Sequence, residues 1–286
     1  MNNPPPDWFL FLPQIRLRVD DIVERARVAE ASGFDGIAFI DHLVAPGAGQ
    51  LPLWEAMTVA TWVAAQTERL RIGHLVLCDS FRHPAVLAKE AVTLQEASGG
   101  RFELGLGAGS VPRELVGFDI TRDRAAARRD RLRRSLELLH HYWGAPNTEG
   151  PVQVPAPSTP IPIVIGGTSA PLLELVRGYA TWWNLPAPQL NRLTELLPEI
   201  GSARASVQQM VGFVGHGRDA AEVHARSTRR FGQLVDGLVV GDAAQLVAHF
   251  GDLVERGVER FYVWFTDFAA PETLAEFGAK VIGNLR

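Results

Sequence analysis

The chain has 286 residues, of which 47% are hydrophobic and 21% are charged, so it can bury a large core and intrinsic disorder is excluded. The formal net charge of −4 gives no electrostatic reason to expect a nucleic-acid partner or an anionic membrane. A single cysteine, Cys78, excludes an internal disulfide and favours a reducing compartment, so we expect a cytoplasmic protein. Residues 1–7 lack the pattern of a signal peptide, and no apolar run approaches the about 20 residues that span a bilayer.

Short apolar runs alternate with amphipathic patterns along the chain. The first strand covers 8–12, and Asp20 then opens a helix that Gly33 ends. The further predicted strands cover 36–40, 70–77, 101–106, 161–165, 181–185, 207–214 and 261–265. The further predicted helices cover 53–67, 84–97, 124–143, 169–179, 189–203, 219–235, 243–256 and 271–285. The stretch 145–160 is rich in Pro, Asn and Gly, which predicts an irregular connection.

Eight strand–helix units, with one extra helix before the last strand, predict an α/β fold: a (β/α)8 TIM barrel that forms a single domain over residues 1–286. A doubly wound open sheet is the alternative. That fold usually has fewer strands and a glycine-rich turn after the first, where this sequence has Leu12-Pro13-Gln14. Because the active sites of such barrels form at the carboxyl ends of the strands, the residues that follow each strand are the candidate site.

The pair Asp41-His42 follows the second predicted strand. A histidine at a strand end is suited to proton transfer near neutral pH, because its unperturbed pKa is about 6.5. The alternative is a helix cap next to a surface histidine. We favour the functional interpretation because of the position at the end of a barrel strand.

Two glycine-bearing segments follow the fourth and fifth strands. The alternating Gly105, Gly107 and Gly109 are explained equally well by tight packing and by close approach of a ligand to the backbone. The segment 166–169, Gly-Gly-Thr-Ser, directly precedes a helix, so its N–H groups and the helix dipole suit a phosphate. An ordinary turn with a Ser or Thr cap is the alternative.

Three other features are assigned structural roles. Cys78 is interpreted as a small strand-end residue, because the sequence predicts no group that would activate it as a nucleophile. The arginine-rich segment 122–134 is interpreted as a solvated helix face, with anion binding as the alternative. The eight histidines show neither HxH nor HExxH spacing, so no metal site is predicted.

Several of these stretches together resemble one known family. They are LRIGHLVL at 70–77, FRHPAVLAK at 81–89, SGGRFELGLGAG at 98–109, PIVIGG at 162–167, Trp183-Asn184, and GVERF at 257–261. The set is similar to the bacterial luciferase-like monooxygenases and extends over nearly the whole chain. The resemblance implies a luciferase-like (β/α)8 barrel that uses coenzyme F420, with FMN as the alternative, and it is nearest to the F420-dependent branch from actinobacteria.

The resemblance also implies residue roles. His42 would transfer protons as the catalytic residue, and Asp41 would contact the deazaflavin ring. A bulge with a non-prolyl cis peptide at Leu75–Val76 would support the ring, with Cys78 facing its edge. The remaining implied cofactor-binding residues, which contact the ribityl and phosphate groups or lie close to them, are Gly107, Ala108, Gly109, Arg113, Gly166, Gly167 and Thr168.

The sequence departs from the family at the site. Ser110 stands where the sugar-phosphate dehydrogenases of the family have an acidic glutamate, which argues against sugar-phosphate oxidation. A short 146–160 segment predicts a more open mouth. Trp54, Trp182 and Trp183 would flank the substrate if their rings point inward, although Trp54 is explained at least as well by packing.

The resemblance therefore implies an F420-dependent oxidoreductase that transfers hydride between the deazaflavin and a small organic substrate. We also expect a homodimer, because relatives are commonly dimers. An FMN-dependent monooxygenase and a non-catalytic cofactor-binding barrel remain the alternative functions.

Overall fold

Eight parallel strands rich in aromatic and branched residues close into a barrel in the computed structural model, which describes residues 4–144 and 150–286. The ten strands are β1 (Asp7–Phe11), β2 (Gly36–Phe39), β3 (Arg71–His74), β4 (Leu77–Cys78), β5 (Phe102–Gly107), β6 (Ile163–Gly166), β7 (Trp182–Pro186), β8 (Arg204–Phe213), β9 (Leu238–Gly241) and β10 (Arg260–Phe265). Strand β10 pairs with both β1 and β8 and closes the ring, whereas β4 and β9 pair outside it. The predicted (β/α)8 barrel is confirmed.

Helices connect the strands and cover the outside of the barrel. They are α1 (Val19–Ala31), α2 (Ala56–Ala64), α3 (Pro84–Ala97), α4 (Pro112–Gly117), α5 (Ala125–Tyr142), α6 (Ala170–Tyr179), α7 (Leu193–Leu196), α8 (Ala220–Phe231), α9 (Ala243–Glu255) and α10 (Pro271–Lys280). The predicted boundaries of α3 are confirmed, with Pro84 in the first turn. The cap of α8 is also confirmed, since the Asp219 carboxylate accepts a hydrogen bond from the Ala221 N–H.

The predicted helix 189–203 was wrong. The segment consists of a 3-10 turn (Ala187–Arg192), the short α7 and a second 3-10 turn (Leu197–Ile200). Pro188 and Pro198 lie in the two 3-10 turns, and a proline supplies no N–H to continue an α-helix.

Helix α4 and strand β9 were not predicted, and one predicted strand is interrupted. Helix α4 was not predicted, because it has only six residues, beginning with proline and ending with glycine. Strand β9 was not predicted either; it extends the β8 edge beyond the end of β7. The predicted strand 70–77 is split into β3 and β4 around a cis peptide bond between Leu75 and Val76, the position that the family resemblance implies.

Of the predicted irregular connection 145–160, residues 145–149 lie outside the described part of the chain, and 150–160 contain no regular element. Within the described residues, no helix combines the length and the hydropathy needed to cross a membrane.

A buried ion network fills the amino-terminal end of the barrel. Arg260 is fully buried and donates to Glu103 and Asp7, and its guanidinium lies 3.7 Å from the Trp182 ring centroid. Glu103 belongs to β5, which is not a neighbour of β10, so this contact crosses the barrel interior. The other end of the barrel is therefore the one that is open to ligands.

Candidate active site

A cavity of about 340 Å³ lies where the carboxyl ends of β2, β4, β5, β6 and β7 meet. Its wall contains Ile40, Asp41, His42, Leu75, Val76, Leu77, Cys78, Gly107, Ala108, Gly109, Ser110, Val111, Glu114, Leu115, Gly166, Gly167, Leu172, Asn184, Pro186 and Gln208. All the predicted site residues are on this wall except Arg113 and Thr168. Arg113 is exposed on α4 and lines a neighbouring cavity instead.

A buried carboxylate holds the ring of His42. Glu114, which α4 positions, accepts hydrogen bonds from the Leu43 N–H at 2.6 Å and the Val44 N–H at 3.0 Å through one oxygen. Its other oxygen lies 2.8 Å from Nδ1 of His42. A carboxylate with these partners acts as an acceptor, so we assign the ring proton to Nδ1 and leave Nε2 for a ligand.

The pairing of Glu114 with His42 was missed by sequence reasoning. Glu114 follows Ser110 by four residues and lies in the first turn of α4, which begins with proline as helices often do. The motif Pro112-Arg113-Glu114 was the signal available.

The carboxylate of Asp41 is occupied by the protein itself. Its Oδ2 accepts hydrogen bonds from the Cys78 N–H at 2.8 Å and from Arg82 at 2.6 Å, and Oδ1 accepts a second bond from the same guanidinium. Arg82 also pairs with Glu55, the residue that caps α2. Asp41 therefore anchors β4 to the end of β2, and Arg82 and Glu55 are supporting residues that the sequence did not reveal.

The electrostatics of Glu55 reflect this network. Burial alone would raise the pKa of Glu55, but hydrogen bonds from Thr58 and Met57 and the Arg82 charge lower that pKa to about 2. The Arg82 guanidinium therefore pairs with two carboxylates, those of Asp41 and Glu55.

Gly105 and Gly107 are required by packing, which decides between the two alternatives. A Cβ on Gly105 would collide with the His74 carbonyl oxygen, and one on Gly107 would lie 2.6 Å from Val76 Cγ2. Gly109 differs, because its φ of +80° is a left-handed conformation that favours glycine. Gly105 and Gly107 allow β5 to pack closely against the segment around the cis peptide, and Gly109 allows the chain to turn after β5.

Cys78 is a wall residue with low reactivity. Burial raises the pKa of its thiol to about 11, and the neighbouring Asp41 and Asp79 charges act in the same direction. At neutral pH the side chain is therefore a neutral thiol, in agreement with the structural interpretation from sequence.

The second glycine loop joins β6 to α6. Gly167 has a φ of +121°, and its carbonyl accepts a hydrogen bond from Trp183 Nε1 at 2.8 Å. Ser169 begins α6 without a side-chain cap, so the alternative of a Ser-capped turn is wrong. The uncapped helix start beside the cavity suits an anionic group.

One arginine of the segment 122–134 is buried, and an exposed one pairs with a buried carboxylate. Arg128 is buried and donates to the carbonyls of Ala108 and Asp123, and Arg131 pairs with the buried Asp79. Burial raises the pKa of Asp79, an effect that hydrogen bonds from Ser135 and Arg131 oppose. The interpretation of the whole segment as a solvated face was therefore wrong, since Arg128 supports the loop after β5.

The three tryptophans that we expected near the substrate lie elsewhere. Trp54 donates to the Leu17 carbonyl and lines a groove between α2 and α3. Trp182 is buried under Arg260 at the opposite end of the barrel, and the buried Trp183 packs in the core outside the barrel. Asn184 and Gln208 contribute amide side chains to the cavity wall, where we had expected tryptophan rings.

Within the described residues, no three His, Cys, Asp or Glu side chains are grouped as metal ligands would be. The cavity wall also contains no lysine or arginine among the residues that the structure describes.

Comparison with known families decides the relationship. Residues 12–231 match the model of the family described as luciferase-like monooxygenase. The chain belongs to the luciferase-like monooxygenase family. The matched range includes both glycine loops and the His42–Glu114 pair.

Curated relatives match over part of their length. The F420-dependent glucose-6-phosphate dehydrogenase of Amycolatopsis mediterranei (strain U-32) is 35% identical over 130 residues, which are 44% of this chain and 38% of that protein. The 4-hydroxyprotoasukamycin monooxygenase of Streptomyces nodosus subsp. asukaensis is 42% identical over 77 residues, 27% of this chain and 20% of that protein. The chain thus matches well under two thirds of the length of either relative.

Solved structures share the luciferase-like fold over the whole chain. An F420-dependent secondary alcohol dehydrogenase, solved with an F420-acetone adduct, superposes with a TM-score of 0.81 at 16% identity and covers 99% of this chain and 100% of its own. The EDTA monooxygenase from Chelativorans sp. BNC1 gives a TM-score of 0.80 at 13% identity, covering 99% and 94%. At such identities these likenesses concern the fold.

Proposed function

We propose that this chain is an F420-dependent oxidoreductase that transfers hydride between the deazaflavin and a small organic substrate. The observation that carries the proposal is the His42–Glu114 pair on the wall of a cavity that both glycine loops border. Relatives named as F420-dependent dehydrogenases support the choice of cofactor.

The residues present fit such a cofactor. Gly107, Gly109, Gly166 and Gly167 present backbone and no side chain to the cavity, and the uncapped start of α6 suits a phosphate. Apolar side chains and the amides of Asn184 and Gln208 form much of the wall, which suits a flat ring. The two carboxylates of the wall are engaged by the protein itself, Asp41 by Arg82 and Glu114 by His42. When bound, F420 supplies the hydride donor and acceptor.

The protein groups then orient the reactants and manage protons. His42 Nε2 takes a proton from a substrate hydroxyl during oxidation, or returns one to the carbonyl oxygen during reduction. Glu114 keeps the ring in one orientation and one tautomer. Ile40, Leu75 and Leu115 exclude water from the reacting atoms.

An FMN-dependent monooxygenase is the second candidate, because one matched relative and one superposed structure are named monooxygenases. A fluorescence titration of the purified protein with F420 and with FMN separates the two. Tight F420 binding supports our proposal, and tight FMN binding without F420 binding overturns it. Binding of neither cofactor would favour the non-catalytic barrel, against which the His42–Glu114 pair argues.

We further propose a homodimer formed through a groove of about 790 Å³ between α2 and α3. Trp54 and Trp62 are 41% and 51% exposed there. Lys89 and Glu90 place both charge signs on this surface, so opposite charges can meet across a twofold axis. Light scattering tests the mass, and Trp62→Glu should shift the protein to a monomer; a monomeric wild type would overturn this.

The remaining proposals concern the domain organisation of the chain, its cellular location and its source organism. We propose that residues 1–286 form one domain, that the protein works in the cytoplasm, and that it comes from an actinobacterium. The single buried cysteine supports a reducing compartment, and the actinobacterial relatives support the origin. Limited proteolysis that leaves one intact fragment is the expected result for one domain.

A further inference from the structure

A second cavity, of about 540 Å³, lies directly beside the cofactor site. We call it the side chamber. It lies between the loop after β2 and helix α4, and its wall contains His42, Val44, Ala45, Pro46, Gly47, Ala48, Gly49, Val111, Arg113, Glu114, Gly117 and Phe118. His42, Val111 and Glu114 belong to the walls of both cavities, so the side chamber and the first cavity adjoin at His42.

Hydrogen bonds fix the two sides of the side chamber to each other. Glu114 on α4 accepts from the backbone N–H groups of Leu43 and Val44, the residues that begin the loop. Ala45 is 2% exposed, which anchors the next part of that loop. The chamber is therefore a built cavity, and its volume falls in the range of small-molecule sites.

The chemistry of the wall is apolar and close to electrically neutral. Most of its side chains are Val, Ala, Pro, Gly or Phe. Its carboxylate, Glu114, is already engaged with His42, and its cation, Arg113, is exposed to solvent. A phosphate dianion in the chamber would approach a buried carboxylate, whereas a neutral apolar molecule meets no such repulsion.

The surface around the side chamber is also apolar. Among the described residues, many of the large hydrophobic side chains with high exposure come from the two segments that frame it: Leu43, Val44, Leu51, Val116, Phe118 and Ile120. An apolar rim around a concave site marks a ligand entrance.

We propose that the side chamber binds the apolar body of the organic substrate, and that this substrate is a neutral, non-phosphorylated molecule. The inference rests on the proposed function, because His42 is the group that both cavities share.

The test uses a matched pair of probes, 2-naphthol and 2-naphthyl phosphate, measured by isothermal titration calorimetry on the F420-loaded protein. We expect 2-naphthol to bind at least about tenfold more tightly than its phosphate ester. Gly117→Phe should fill the chamber, because a Cβ there meets no atom within 4 Å and the φ of Gly117 lies outside the left-handed region. It should weaken 2-naphthol binding by about tenfold or more.

The control is Gly178→Phe, an equally open glycine on α6 outside the chamber, which should bind 2-naphthol as the wild type does. Gly49→Phe is a second filling variant if Gly117→Phe does not fold. Unchanged affinity in the filled variants, preference for the phosphate ester, or no binding of 2-naphthol to the wild type would each overturn the proposal.

F420 binding by the wild type tests the proposed function separately from the side chamber. If the wild type does not bind F420, the same titrations are made on the unloaded protein. A loss of 2-naphthol binding in Gly117→Phe but not in Gly178→Phe would then support the chamber, while the proposed function would have failed.

Discussion

Glu114 Oε2 lies 2.8 Å from Nδ1 of His42, although the two residues are 72 positions apart in the chain. The other oxygen of the same carboxylate accepts from two consecutive backbone N–H groups after His42. One side chain therefore fixes both the loop that carries His42 and the orientation of its ring. Such an arrangement leaves Nε2 as the nitrogen that can exchange protons with a ligand.

His42→Ala should lower turnover by about 100-fold or more while leaving the F420 dissociation constant within about threefold, because positioned proton transfer contributes that much to rate. Rates are followed by deazaflavin absorbance against a panel of secondary alcohols and ketones, and affinity by fluorescence titration. His224→Ala, at an exposed position on α8, is the control. An unchanged turnover would remove His42 from the mechanism.

Glu114→Ala should lower the free energy of unfolding by about 2 kcal/mol, because it leaves the backbone N–H groups of Leu43 and Val44 without their acceptor. Glu114→Gln keeps an amide oxygen for those groups and should lose less stability. Its turnover should nevertheless fall at least about tenfold, because the amide does not stabilise a protonated imidazole as a carboxylate does. Urea unfolding and steady-state rates measure the two effects.

Equal activity of Glu114→Gln and wild type would mean that Glu114 only holds the loop. Loss of activity in proportion to lost stability in both variants would point to the same structural role. A large loss of turnover with a small loss of stability in Glu114→Gln is therefore the result that identifies Glu114 as a positioning residue.

The barrel and most of the cavity wall were predictable because they depend on local pattern. Strand–helix alternation predicts parallel strands, and the fold then places the residues after β2 and β5 at one end. Segments without such a pattern were missed: α4 is too short for helical periodicity to show, and the prolines of 187–200 break a pattern that otherwise suits a helix.

The contacts within the site were less predictable because they join distant positions. Nothing local to Glu114 indicates that it pairs with His42, and nothing local to Arg82 indicates that it pairs with Asp41. Arg128 lies in a run of arginines whose other members are largely exposed, yet the fold buries this one under the loop after β5. Such pairings form only when the strand–helix units of the barrel pack against one another.

Arg82→Ala should lower the free energy of unfolding by about 3 kcal/mol, because it leaves the Asp41 carboxylate buried without its partner. Since Asp41 also accepts from the Cys78 N–H, F420 affinity should fall as well. Arg122→Ala removes an exposed arginine and should change stability by no more than about 0.5 kcal/mol. Equal stability of the two variants in urea would contradict an anchoring role.

His74 predicts a pH dependence of stability. Burial lowers the pKa of His74 from 6.5 to about 4, and its Nε2 lies 3.2 Å from the Ala56 carbonyl oxygen. The unfolded chain therefore takes up a proton near pH 6.5, whereas the folded protein does so only near pH 4. Stability from this residue is fully present above pH 6.5 and is lost as the pH falls toward 4, by at most about 1.4 kcal/mol per pH unit.

Urea unfolding of the wild type and of His74→Gln between pH 7 and pH 4 measures this contribution. The loss of stability with falling pH should be smaller in the variant. His224→Gln, which changes an exposed histidine, should retain the slope of the wild type. Identical slopes in all three proteins would mean that His74 protonates as easily when folded as when unfolded.

Gly105→Ala and Gly117→Ala form a matched pair that tests how β5 meets the segment around Leu75–Val76. A Cβ on Gly105 collides with the His74 carbonyl oxygen and lies 3.2 Å from Val76 Cγ1, whereas a Cβ on Gly117 meets no atom within 4 Å. Gly105→Ala should cost about 3 kcal/mol, in the range of overpacking, and Gly117→Ala no more than about 0.5 kcal/mol. The strand ends that the added methyl group would displace form part of the cavity wall, so Gly105→Ala should also weaken F420 binding. Similar stability and similar F420 affinity in the two variants would show that close packing at Gly105 does not shape the site.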